Sequence, residues 1–142
     1  MTDERSRIPV ESEYVCEMGL ALFAFAGCRW GAASCLEALS RTGARVPPSQ
    51  SCRRIAVDLG EAVRVLGAGR RKDRLQDAQK AFIALVWQRR DLLTAFPSES
   101  PRGRLQLSSR GTPWSLRDLQ VFGDLAAICA EDFRDILETE FG

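Results

Sequence analysis

The segment from Glu11 to Ser40 constrains this chain most, because it is strongly apolar, contains no proline and reads as one long helix. Cys16, Leu20, Phe23, Gly27, Trp30 and Ser34 follow alternating four- and three-residue steps. That spacing places them on one face, which Leu22, Ala26 and Ala33 widen. Gly19, Gly27 and Gly31 weaken a helix individually. Together with the alanines they form a small-residue surface that a second helix can approach closely. Two uses of that face stand open: core packing within one subunit, or the helix interface of a homodimer.

Three more helices follow from punctuation and period. Gly43, Pro47 and Pro48 break the chain. A second helix starts near Ser49 or Ser51, either of which can cap it. It carries Ile55, Leu59, Val63 and Leu66 on one side and ends at Gly67 and Gly69. A third helix is expected from about Lys72 to Ala95, with Leu75, Ala78, Phe82, Leu85, Arg89 and Leu92 in one stripe. Pro97 and Pro101 stop it. The stretch "GRLQLSSRGTPW" alternates around a glycine turn, as a short β-hairpin or extended loop does. Ser115 with Asp118 makes a capping-box-like start for a fourth helix to about Thr139. Its buried side is Leu116, Leu119, Phe122, Ala126, Cys129, Phe133 and Ile136. The fold class predicted is all-α, an antiparallel four-helix bundle with a short β-hairpin or loop before the last helix. It forms a single domain over residues 1–142, with residues 1–10 as a flexible N-terminal tail.

Composition narrows the function. With 142 residues the chain can bury a real core. A net charge of +1 is not that of a strongly basic nucleic-acid binder, although local basic patches are allowed. The positive charge is almost all arginine, which suits forked recognition of phosphate or carboxylate. A GC-rich genome explains the same bias more simply. There is no histidine, so the commonest general base and metal ligand are missing. Cys16, Cys28, Cys35, Cys52 and Cys129 are dispersed without a C-x-x-C pair. They are expected to be reduced, buried thiols in a cytoplasmic protein, with neither metal nor cofactor. The polar N-terminus is no signal peptide, and the run "GLALFAFAGC" stops at Arg29, too short to span a bilayer. No membrane association is expected. Strand and helix do not alternate, and "GAGRRKD" lacks P-loop spacing, so an α/β nucleotide fold is not expected.

The charged end of the third helix, "QRRDLLTAFP", carries the functional question. Arg89 lies in register with the apolar stripe, where a charge seldom sits without a partner or ligand. Arg90 is turned about 100° away and is more exposed. In "RRDLLTAFP", in the long aromatic-containing first helix and in the hairpin before the last helix, the chain resembles the HEPN superfamily. The small bacterial members of that superfamily are four-helix bundles. The resemblance implies a homodimer and metal-independent RNA chemistry. An arginine would hold the scissile phosphate, and a histidine after four to six intervening residues would move the proton. Here the histidine position is Thr94 if Arg89 is the motif arginine. If Arg90 is taken instead, it is Ala95, Phe96 or Pro97. A threonine hydroxyl is a poor base near neutral pH.

The phosphate-binding half, Arg89 and Arg90 with Asp91 and Thr94, is therefore expected without a catalytic residue. RNA, a nucleotide or a protein partner are the ligands this reading allows. An unusual base could rescue cleavage only if Glu17, Glu37 or Asp91 converged on the same end of the bundle. Otherwise Glu17 and Glu37 are solvated and Asp91 pairs with an arginine. A purely structural assembly partner is the competing reading, with Arg89 tied internally. Trp30, Phe82, Trp87, Trp114 and Phe122 are expected mainly as core, with Trp87 one turn from Arg90 and Asp91.

Overall fold

A computed structural model of the chain describes residues 11–142, so the expected N-terminal tail lies outside the described residues. The helices are α1 (Ser12–Leu39), α2 (Cys52–Arg64), α3 (Arg70–Leu93) and α4 (Leu116–Glu140). Between α3 and α4 lies a three-stranded antiparallel sheet of β1 (Phe96–Glu99), β2 (Leu105–Ser109) and β3 (Thr112–Trp114). The helix starts are chemical. The Ser51 side chain accepts from the Arg54 amide at 3.1 Å. Ser115 and Asp118 exchange both bonds of a capping box, at 3.0 and 2.9 Å. Each such cap contributes about 1 kcal/mol.

Buried aromatics tie the helices together. Phe25 stacks on Phe82 and Phe122 at 5.9 and 6.2 Å, and Phe133 meets Phe82 edge-on at 6.1 Å. Small residues set the closest approach, between α1 and α4. A Cβ on Gly31 would stand 2.5 Å from the Phe133 Cβ, and one on Gly123 would stand 3.3 Å from the Ala21 Cα. A Cβ on Gly27 would reach 3.3 Å from Ala130. These contacts climb both helices together, so α1 and α4 run in the same direction. α3 runs against α2, with Gln79 donating to the Ala56 carbonyl and Lys72 to that of Leu66. It also runs against α4, where Arg74 bonds Asp135, Thr139 and Glu140. The antiparallel order expected throughout therefore fails for α1. The segment between α1 and α2 doubles back along α1: Val46 donates to Glu37, and Arg29 reaches the carbonyls of Pro48 and Gln50. α2 thus restarts in the direction of α1.

The larger correction concerns which side of α1 faces inward. Its core face is Tyr14, Ala21, Phe25, Cys28, Gly31, Ala32 and Cys35. The stripe read from the sequence points outward instead, with Phe23 81 % exposed, Trp30 60 % and Leu20 58 %. Cys16 is exposed too, against the expectation of five buried thiols. The cause is physical: α1 is apolar around its whole circumference, so its period carries no phase. By length and composition α1 could also cross a membrane, with one third of its most apolar window buried in this fold. It does not stop at Arg29, whose guanidinium is satisfied by the returning chain.

The sheet sits at the end of the molecule where α3 finishes and α4 starts. β2 is its central strand, pairing Leu107 with Pro97 of β1 and with Trp114 of β3. Pro97, expected to stop α3, occupies an edge strand, where its missing N–H is tolerated. The Tyr14 hydroxyl donates to the Trp114 carbonyl at 2.7 Å and accepts from the Leu107 amide at 3.1 Å, sewing α1 to the sheet. The β2–β3 turn is Arg110-Gly111, with φ of +52° and +80°. Two left-handed residues suit a tight hairpin. An arginine at the first of them costs on the order of 1 kcal/mol.

Candidate nucleic-acid interface

Arg89 lies where its register placed it, at the centre of the buried stripe of α3 and half-buried. Its guanidinium carbon is 5.0 Å from the Phe25 ring centroid, and Nη1 is 3.8 Å from the Cys52 sulfur. Neither contact neutralises it. No ion pair to Arg89 occurs among the described residues. Cys52 opens α2, and the positive end of that helix dipole raises the local potential further. An uncompensated arginine beside a helix N-terminus makes a positively charged spot at the junction of α1, α2 and α3.

Two residues before Arg89, about 160° around α3 from it, lies Trp87 on another side of the helix. Trp87, expected as core, is 44 % exposed. Two guanidiniums lie over its ring: Arg90 of α3 at 5.4 Å and Arg53 of α2 at 5.6 Å. Neither arginine has a carboxylate partner among the described residues. Arg53 was missed because only the docking of α2 on α3 brings it to Trp87. The surroundings share the charge: residues 52–93 carry ten Arg and Lys against five Asp and Glu. The α4 segment, 116–140, carries two against seven. A net charge near neutral therefore hides a basic layer and an acidic one.

Asp91 and Thr94 do not join Arg89. The Thr94 hydroxyl donates to the Arg90 carbonyl at 2.8 Å, closing the end of α3. Five residues along a helix put Thr94 about 140° from Arg89, on a different face. Asp91 is exposed on the far side of α3 and forms no ion pair among the described residues. With Gln88, it borders a cavity of about 510 Å³ between α3, the β2–β3 turn and the start of α4. Arg89, Arg90 and Thr94 do not line that cavity. Glu37 is held by the Val46 amide, so it does not converge on the motif either. Among the described residues no group of three or more His, Cys, Asp or Glu side chains could hold a metal.

Compared with models of protein families, with curated proteins and with solved structures, the chain matches none.

Proposed function

We propose that this protein is a catalytically degenerate HEPN-like helical bundle that binds RNA or a nucleotide and acts as a homodimer. The observation that carries the reading is the arginine set at the α2–α3 junction. Arg89 on the inward stripe has no ion-pair partner among the described residues, and Arg53 and Arg90 flank the half-exposed Trp87. Arginines that lack carboxylates are available to phosphate. An exposed indole offers a face on which a base can stack. Cleavage is not part of the proposal, because Thr94 already spends its hydroxyl proton on a carbonyl and no histidine exists in the chain. The five free cysteines accord with a reducing cytoplasm.

Labelled single-stranded RNA and a labelled mononucleotide, titrated by fluorescence polarisation across a salt series, test this. Binding should weaken steeply with salt. Arg89→Ala and Trp87→Ala should each reduce affinity about tenfold. Equal affinity in wild type and Arg89→Ala defeats the proposal.

A second reading, an assembly module, is favoured by the outer face of α1. Val15, Leu20, Phe23 and Trp30 expose on the order of 500 Å² of apolar surface between them, taking aromatic side chains at about 200 Å² each. Two such faces approach the area of a standard interface. Large side chains alternate with the exposed Gly19 and Ala26, so two copies can interlock through the same surface. Sedimentation of the wild type against Phe23→Ser separates the cases. A monomer at high concentration in both removes the homodimer.

A further inference from the structure

The cavity on the far side of α3 has no part in the reading above, and its chemistry is different. Its apolar wall is built by Trp114 and by Val121 and Leu125 of α4, both of which remain exposed in the cavity. Its charged rim has three groups without an ion-pair partner among the described residues: Arg110, Arg117 and Asp91. The fourth charge, Asp118, is already committed to the Ser115 amide.

Both arginines sit where local physics disfavours them. Arg110 takes a left-handed conformation, at φ +52°, that glycine or asparagine would adopt more easily. Arg117 occupies the first turn of α4, where the helix dipole repels a cation. Neither finds a carboxylate within ion-pair distance among the described residues. Two unfavourable placements that converge on one cavity indicate a compensating gain outside the folded chain.

We propose that this cavity binds an organic monoanion with an apolar body, its anionic head held by Arg110 and Arg117 and its body laid against Trp114, Val121 and Leu125. The volume, about 510 Å³, is that of a small-molecule site. Asp91 on the α3 side disfavours a second negative group at the other end of the ligand, and so sets its orientation.

The test uses the full chain and two fluorescent probes of similar shape. 8-Anilinonaphthalene-1-sulfonate carries the anion, and N-phenyl-1-naphthylamine is its neutral counterpart. The sulfonate should bind at one saturable site. Arg110→Asn and Arg117→Gln should each weaken it about tenfold while leaving the neutral probe unchanged. Thermal stability of both variants should stay equal or rise, since each removes a locally unfavourable arginine. Leu125→Arg should weaken both probes. Because the outer face of α1 could also take up dye, Phe23→Ser serves as the control and should leave the affinity of the sulfonate site unaltered. Unchanged sulfonate affinity in both arginine variants overturns the proposal, as does loss of the sulfonate signal in Phe23→Ser alone. RNA binding through Arg89 is a separate measurement and can fail without touching this one.

Discussion

The pair α1 and α4 and the pair α2 and α3 solve the same packing problem with opposite chemistry. α1 meets α4 through glycine and alanine, close enough that a methyl group at Gly31 would collide with Phe133, and α1 turns a second apolar face outward. α2 meets α3 through buried aliphatic side chains and through polar contacts, such as the Gln79 amide on the Ala56 carbonyl beside Gly60. That pair gathers the positive charge around Trp87. The contrast teaches where specificity can reside. Close small-residue contact spends surface on shape, whereas the basic pair carries guanidiniums at its edge that can meet a ligand.

The largest blow to this arrangement should come from the aromatic cluster that joins the pairs. Phe82→Ala removes a ring packed on both Phe25 and Phe133 and should cost about 3–5 kcal/mol in denaturant unfolding. Alkaline pH should act next, through the core face of α1. Burial pushes the Cys35 thiol up to about 12 from 9.0, and burial likewise raises the Tyr14 phenol. Both favour the neutral form when folded. Their contribution is complete below the unfolded values and is lost as pH climbs toward the folded ones. From pH 9 to about 12 stability should fall by up to about 1.4 kcal/mol per unit for Cys35, and Cys35→Ala should flatten that slope.

Glycine substitutions sharpen the comparison within α1 itself. Gly31→Ala must displace Phe133 and should cost about 1–3 kcal/mol. Gly19→Ala, with nothing within 4 Å, should gain up to about 1 kcal/mol in thermal unfolding. Equal effects at the two positions would show that the inner and outer faces of α1 are not distinct. The smallest change in monomer stability, within about 0.5 kcal/mol, is expected for Phe23→Ser with Trp30→Ser. A large loss there would mean that the outer face is covered by a partner in the folded species.

Little of the candidate site beyond the register of Arg89 could be read before any tertiary information. Arg89 occupies the stripe its spacing assigned, because α3 is amphipathic and its period has a definite phase. Its companions could not be read. Arg53 is as distant in sequence as it is close to Trp87, and Thr94 sits on another face, serving the helix end. The Arg-Gly turn was visible as a glycine turn, but the cavity it borders depends on how the sheet lies against α4.

The sequence by itself determined where the helices begin and end, since the Ser51 cap, the Ser115–Asp118 box and the proline and glycine breaks act within a few residues. It also marked the buried stripes of α2, α3 and α4 by their spacing, although α3 and α4 leave Trp87, Leu93, Val121, Leu125 and Ile128 exposed elsewhere. Only the tertiary structure decided the face of α1, its shared direction with α4, and the meeting of Arg53, Trp87 and Arg90. A helix apolar all round can bury either side. The choice falls to the closest fit, here Gly31 against Phe133 and Ala21 against Gly123.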